Sequence, residues 1–385
     1  MSSKDSQNLE KSLCARDKAE TQYRMPVIFE PTDDTALKPG MILSTEKMRV
    51  AVIGGGLVGL STALYITESL PQCTVTVISE KFSPNTTGDV AAGSLIPHTY
   101  PDTPLDHQKA WFKETFDYLF KIANSPEAAE AGVSFISGWQ VFKMPPKDAF
   151  PFWGNVVLGF RLMTEAELAK FPSYTFGQAF TTLKCQSSLY LPWMEKRFKM
   201  NGGYMETRKV NDIWELHGSF DVVMNCTGLG ARDLIDDLSV FPVRGQVLEV
   251  HAPWLNHFIR DGDGSTYIYP GQNGATLGGT REKDDWRLLP DVQTSKEILQ
   301  RCCNLEPSLH GVAIIKEKVG LRPARAAVRI EQEILCKNKQ QLPTIHNYGH
   351  GGGGFSVHRG TAKAATELLG KLIPCQTDFY CKSKL

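Results

Sequence analysis

An α/β fold, with a doubly wound parallel sheet and a second, β-rich domain, is predicted from three features of the sequence. The first is Arg49-Val50-Ala51-Val52-Ile53, an apolar run rich in β-branched residues that reads as a buried parallel strand. The second is the set of glycines that follows, Gly54, Gly56 and Gly59, which opens a helical run from Leu57 to Glu68. The third is Thr74-Val75-Thr76-Val77-Ile78-Ser79, a second strand ending at Glu80. That acid lies about 20 residues beyond the last glycine, where a ribose-binding carboxylate is expected. Strand, G-x-G-x-x-G, helix, strand and acid in this order make a Rossmann-like dinucleotide-binding unit. The first glycine makes the tight turn, the second lets the backbone approach a pyrophosphate, and the third lets helix and strand pack closely. The helix N-terminus offers unpaired N–H groups to the phosphates.

The bulk properties exclude several classes. A chain of 385 residues can hold two packed domains. Its hydrophobic content of 42% and charged content of 22% are ordinary for a globular protein, and its formal net charge of zero gives no basic field for nucleic acid. Val50 to Thr67 is uncharged, but three adjacent glycines with Ser61, Thr62 and Thr67 match poorly the about 20 apolar residues of a membrane span. The nine cysteines include one vicinal pair, Cys302-Cys303, and no C-x-x-C, which predicts reduced thiols in an intracellular compartment. The histidines show no ligand spacing, so no metal is expected. Residues 1–47, polar and interrupted by Pro26, Pro31 and Pro39, read as a flexible N-terminal extension that lacks the apolar core of a signal peptide.

Beyond Glu80, the small residues Thr86, Thr87, Gly88 and Ala91 to Ser94 read either as a loop with a helix start or as the second wall of a site for a flat ring. Apolar residues at 111, 112, 115, 116, 119, 120 and 122 predict a helix over 107–125. Residues 133–160 read as short strands of the second domain, and Thr164 with Glu167 as a capping box. Residues 187–199 read as an alternating strand entering a helix. Phe220 to Ala231 is another buried strand, and it should deliver Thr227 and Gly228 to the crevice at Gly54. Strands over 243–250, 265–270 and 275–281 form a meander. Gly349 to Gly354 is a second glycine-rich loop, ahead of a helix running to about Leu372.

No Ser-His-Asp, Cys-His or paired-carboxylate arrangement is present. The second domain offers instead Arg260, Arg281, Arg322 and Arg325 on strands and at strand ends, the side chain best suited to holding a carboxylate. Of Tyr267 and Tyr269, only one is expected to face a pocket and the other the core.

Several stretches together resemble the D-amino-acid oxidase family, and within it the branch that oxidises D-aspartate. They are Val52 to Thr62, Asp89 to Gly93, Asn225 to Gly228, Pro242 to Val247, Tyr267 to Pro270, Leu277 to Thr280, Gly320 to Pro323 and Tyr348 to Gly351. The resemblance covers the chain from about Met48 onwards and implies FAD as the cofactor. It implies an FAD site made by Gly54, Gly56, Leu57, Val58, Gly59, Glu80, Lys81, Thr87, Gly88, Gly93, Ser94, Val210, Gly351, Gly354, Phe355 and Ser356. It implies that Arg322 and Tyr267 hold the substrate α-carboxylate as the catalytic pair, with Gly352 beside them. Arg281, where the neutral-substrate branch has an aromatic residue, and Arg260 would select an acidic side chain. The expected reaction is oxidative deamination of D-aspartate, D-glutamate or N-methyl-D-aspartate by O2, with no essential general base. A neutral D-amino-acid oxidase and a flavin-binding protein of low turnover are the alternatives.

The implied domains are an FAD-binding part, 48–95, 203–243 and 312–385, and a substrate-binding part, 96–202 and 244–311. Ser383-Lys384-Leu385 matches the address read by the peroxisomal import receptor, which implies a peroxisomal enzyme. Gly352, Ala324, Ala326, Ala327 and Arg359 depart from the family pattern.

Overall fold

The computed structural model of the chain describes residues 47–272 and 274–373. Residues 1–46 of the extension expected over residues 1–47, and the terminal Ser383-Lys384-Leu385, lie outside the described residues. In chain order the elements are β1 (Met48–Ile53), α1 (Leu57–Ser69), β2 (Cys73–Ser79), α2 (Leu105–Ala123), α3 (Ala128–Ala131), β3 (Val133–Phe142), β4 (Leu158–Leu162), α4 (Glu165–Leu168), β5 (Phe176–Cys185), α5 (Ser187–Met200) and β6 (Tyr204–Thr207). There follow β7 (Val222–Asn225), α6 (Ala231–Leu234), β8 (Phe241–Val250), β9 (His257–Asp261), β10 (Tyr267–Gly271), β11 (Gly274–Gly278), β12 (Glu282–Lys283), α7 (Val292–Leu305), β13 (Ile314–Lys337), β14 (Gln340–His350) and α8 (Gly354–Gly370).

Hydrogen bonding joins all the strands in one mixed sheet, in the order β4-β5-β3-β9-β10-β11-β8-β13-β14-β7-β1-β2-β6, with β12 added to β8. The end running β14-β7-β1-β2-β6 is parallel, and the strands β7, β1 and β2 are apolar because they are buried on both faces, by α1 and α8 on one and by Ile213, Leu216 and Leu342 on the other. Val50, Val52, Val75 and Val77 pack with Ala63, Leu64 and Ile66 of α1 and with Ala365 and Leu369 of α8. The α1 and α8 helices touch through Ser61, whose hydroxyl donates to the His358 carbonyl at 3.3 Å. Between α8 and α2 the approach is closer still: a Cβ on Gly360 would lie 2.3 Å from the Trp111 Cα.

The other end is the antiparallel meander β9-β10-β11-β8, extended by β3, β5 and β4. One strand ties the two ends together. β13 runs for 24 residues, pairs with β8 as far as Ala324, and from Arg329 pairs with β14. The register break between Ala324 and Arg329 falls where the strand passes from one end to the other. A cavity opens beside this junction, which is why residues far apart in the sequence meet there.

Three local expectations are corrected. Residues 187–199 contain no strand; α5 is helical from Ser187, because Tyr190, Leu191, Trp193, Met194 and Phe198 bury one helical face. No helix starts at Ala91 to Ser94. There Gly93, at φ +74°, accepts from Cys185 N at 2.9 Å and Leu95 N donates to the Leu183 carbonyl, so the segment runs extended along β5. The short strands expected over residues 133–160 begin instead with the ten-residue β3. The capping box stands: Thr164 Oγ1 accepts from Glu167 N at 3.3 Å, and the Glu167 carboxylate accepts from Thr164 N at 2.8 Å.

Candidate active site

At the carboxyl ends of β1 and β7 the chain turns on glycine. Gly54 has φ +114°, and its N–H donates to the Ile78 carbonyl at 2.9 Å. A Cβ on Gly59 would stand 1.9 Å from the Gly54 carbonyl oxygen, so α1 is packed on the turn as the third glycine requires. Around a Cβ at Gly56, by contrast, there is open space for 4 Å. No side chain caps the N-terminus of α1 or of α8, so both leave backbone N–H groups for a ligand. Both helix ends open on one cavity of about 1190 Å³.

The cavity wall brings together Gly54, Gly56, Leu57, Val58, Glu80, Lys81, Thr87, Gly88, Gly93, Ser94, Gly351, Gly354, Phe355 and Ser356. It also takes in Thr227 and Gly228, the pair expected from the end of β7. The carbonyl side of Asn225 holds that turn, accepting from Thr227 N at 3.2 Å and Thr227 Oγ1 at 2.7 Å. Two residues of the sequence-based set stand off the wall. Gly59 lies behind Gly54, and Val210 packs beside Ile213 and Leu216.

At the other end of the same cavity lie Arg260, Arg281, Arg322, Tyr267 and Gly352. Arg322 stands on β13 above Gly245 of β8; a Cβ there would fall 2.3 Å from both terminal guanidinium nitrogens. Glycine in a strand interior marks such a close approach. The Nη1 of Arg322 donates to the Thr280 carbonyl at 2.9 Å and reaches the Arg244 carbonyl at 3.4 Å. Gly352 adjoins it, with its Cβ position 3.5 Å from Arg322 Cδ. Tyr267 sits opposite Arg260 on one side and Gly278 on the other, so its ring covers Gly278. Arg260 and Arg281 converge: a Cβ on Gly264 would lie 2.5 Å from Nη2 of the first and 2.6 Å from Nη2 of the second. Arg281 Nη1 donates to the Asp263 carbonyl at 3.1 Å, and Arg260 Nε is buried with no hydrogen-bond partner.

None of these three guanidiniums is paired with a carboxylate among the described residues. Their charges act on their neighbours. Desolvation lowers the pKa of Arg281, and so do Arg260 and Arg322. His98, on the same wall, is pulled down to about 4 by desolvation and then by Arg281, Arg260 and Arg322, so it is neutral near pH 7. Desolvation holds the Tyr267 hydroxyl above its ordinary value against the lowering pull of Arg322, which keeps it a proton donor.

Both tyrosines line the cavity, with ring centroids 4.9 Å apart, which overturns the expectation of one pocket residue and one core residue. Residues two apart on a strand share a face, so Tyr267 had to bring Tyr269 with it. Arg325 is not brought in: its Nε pairs with Asp237 at 3.2 Å. Arg359 is also remote from the cavity. It is held between the rings of Tyr65 and Tyr118, at 4.1 and 4.2 Å, and pairs with Glu68. Of the alanines that follow Pro323, only Ala324 reaches the wall. Glu331, Glu333 and His346 approach one another elsewhere, but Arg329 already pairs with both carboxylates. Sequence reasoning missed His98, Asn347 and Tyr348 on the wall; Gly245, inside a strand, was the one missed position with a readable signal.

The wall fits an extended flavin dinucleotide. Two uncapped helix N-termini open on it, its first turn leaves open space at Gly56, and Ser94 Oγ, Asn347 Oδ1 and His350 Nδ1 on it are buried without partners. Residues 49–368 match the family model described as FAD dependent oxidoreductase. The chain belongs to this family and is an FAD-dependent oxidoreductase. It is 62% identical to the D-aspartate oxidase of Homo sapiens over 325 residues, 84% of this chain and 95% of that protein. A D-amino acid oxidase of Dugesia ryukyuensis is 35% identical, over 88% of this chain and all (100%) of that one. Glycine oxidase from Bacillus cereus shares the fold at a TM-score of 0.68, with 17% identity over 85% of this chain and 96% of that one.

Proposed function

We propose that the enzyme oxidises acidic D-amino acids, D-aspartate first, with D-glutamate and N-methyl-D-aspartate as related substrates. The observation that carries this reading is the convergence of Arg260, Arg281 and Arg322 on one wall, none of them in an ion pair with a carboxylate of the described residues. A dicarboxylate supplies the missing charges, and a neutral amino acid supplies only one. The 62% identity to a D-aspartate oxidase supports the same choice.

FAD, when bound, would supply the two-electron oxidising chemistry by which amino acid, O2 and water give 2-oxo acid, ammonia and hydrogen peroxide. The chain's own residues bind and orient. Gly54, Gly56 and the N-terminus of α1 would hold the pyrophosphate, and Glu80 the ribose. Arg322 would grip the α-carboxylate, with Nη1 already fixed on Thr280 and the rest of the guanidinium free for the substrate. The neutral Tyr267 hydroxyl would donate to the same carboxylate. Arg281 and Arg260 would take the side-chain carboxylate. The substrate is thus held at both ends with Cα between, and catalysis comes mainly from that positioning. The N-terminus of α8 would favour negative charge on the nearby ring. The parallel end of the sheet serves as the cofactor domain and the antiparallel end as the substrate domain, with the boundaries given above.

The test is direct. Purified holoenzyme should release peroxide with D-aspartate far faster than with D-alanine, and none with L-aspartate. Faster turnover of D-alanine would favour the neutral-substrate alternative, and no peroxide from any of the three would leave a flavin-binding protein. We also propose a peroxisomal site of action, supported by Ser383-Lys384-Leu385. Removing that tripeptide from a fluorescently tagged chain is expected to turn a punctate, catalase-coincident signal diffuse; an unchanged distribution would refute the proposal.

A further inference from the structure

The side of β8 that faces away from the cavity carries an arrangement that the reaction as described does not use. Val243, Gly245 and Val247 line the cavity, so the alternate residues Arg244 and Gln246 point to the opposite face. The Arg244 side chain is only 1% exposed; it donates to the side chains of Glu282 and Gln246 and to two backbone carbonyls of one segment. Its Nε donates to the Arg287 carbonyl at 2.9 Å and its Nη2 to the Leu289 carbonyl at 2.8 Å, while Nη1 pairs with Glu282. Gln246, 0% exposed, continues the clamp: its Oε1 accepts from Asp291 N at 2.9 Å and its Nε2 donates to the Asp291 carbonyl at 2.8 Å. Residues 284–291, between β12 and α7, form no strand and no helix, so two side chains of β8 hold much of their backbone.

The carbonyls that Arg244 grips flank Leu288. That residue is 63% exposed and still lines the cavity, which puts it at the mouth. The same clamp residue is joined to the substrate end. The Arg244 carbonyl receives Arg322 Nη1, and the next residue along β8 is Gly245, beneath that guanidinium. Gln246 N also donates to Thr280 Oγ1, and the Thr280 carbonyl is the main rest for Arg322.

We propose that Arg244 is a positioning residue that couples the mouth of the cavity to the substrate-binding guanidinium, holding Leu288 as an apolar rim over the bound substrate. The rim keeps water from the arginines, and an ion pair formed out of water is stronger. Its contribution is to retention of the amino acid and not to the chemical step. The inference rests on the reading of Arg322 as the carboxylate grip.

The experiment compares wild type, Arg244→Lys, Leu288→Ala and the double variant as holoenzymes. It uses whichever D-amino acid the wild type oxidises fastest, so a failure of the substrate assignment shows in the wild type alone. Arg244→Lys keeps a charge for Glu282 but loses the planar fork that spans two carbonyls. It is expected to raise KM about tenfold, with the rate at saturation within about twofold and FAD retained. Leu288→Ala, an exposed substitution that leaves the core untouched, is expected to raise KM in the same direction. The double variant should be no worse than Arg244→Lys, because both act through one contact. An unchanged KM in either single variant, or additive effects in the double one, would overturn the proposal. So would a parallel loss of FAD affinity, kcat and melting temperature in Arg244→Lys, the mark of a residue that merely holds the fold.

Discussion

Replacing Arg322 by methionine is expected to lower kcat/KM for D-aspartate about 10²–10⁴-fold, the kinetic equivalent of the about 3–5 kcal/mol lost when one partner of a buried ion pair is removed. Methionine suits the test because it keeps an unbranched apolar stem above Gly245, where a branched side chain would meet the strand. The fold should survive. Arg322 makes no ion pair with another described side chain, and its Nη1 donates to the carbonyls of Thr280 and Arg244. Removing the guanidinium also removes a positive neighbour from Tyr267 and His98, both of which carry Arg322 among the causes of their shifts. In wild type, His98 titrates at about 4, well below neutrality. In the variant that depression should ease, and the His98 signal followed by NMR should titrate at higher pH. Flavin reduction measured by stopped flow at low and saturating D-aspartate separates binding from chemistry. A fall of less than about threefold in kcat/KM, with FAD still bound, would remove Arg322 from the carboxylate site.

How much of this could be read from the sequence divides along a physical line. The parallel end was legible because each of its parts has a local cause. Apolar β-branched runs make buried strands, and Gly54, Gly56 and Gly59 answer to a turn, a close approach and a packed helix, all within a few residues. The antiparallel end was legible as strands but not as a site. Arg322 reads as a strand arginine like Arg325, yet one turns to the cavity and the other pairs with Asp237. What separates them is the register of β13 on β8 and the break at Ala324, which no local pattern encodes. The resemblance to the D-amino-acid oxidase family supplied that choice where periodicity did not. Tyr269 was missed for a simpler reason, since the two-residue repeat of a strand puts it on the same face as Tyr267. The clamp made by Arg244 and Gln246 was invisible because its targets are backbone atoms more than 40 residues away.

The second large effect is expected on specificity and not on rate alone. Arg281→Leu should reduce kcat/KM for D-aspartate about 10²-fold while D-alanine changes by no more than about threefold, so that the preference collapses. The argument starts from the cost of the empty site. Arg281 and Arg260 direct their Nη2 atoms at the same point beside Gly264, and desolvation, with the charges of Arg260 and Arg322, lowers the pKa of Arg281. One Arg281 nitrogen is fixed on the Asp263 carbonyl, and Arg260 Nε has no partner. Two like charges held together beside Gly264 are unfavourable until an anion lies between them. A side-chain carboxylate relieves that repulsion and fills the vacant hydrogen-bonding positions at once, whereas the methyl of D-alanine does neither. Removing Arg281 takes away both the attraction and the repulsion, so the dicarboxylate loses and the neutral substrate has nothing to lose. Arg260 alone would still attract the anion, which is why the expected loss for D-aspartate is partial. Steady-state peroxide formation with D-aspartate, D-alanine and D-methionine measures the ratio directly. If the variant keeps its preference for D-aspartate over the neutral pair, the selecting charge lies elsewhere on the wall, and Arg260 becomes the residue to replace.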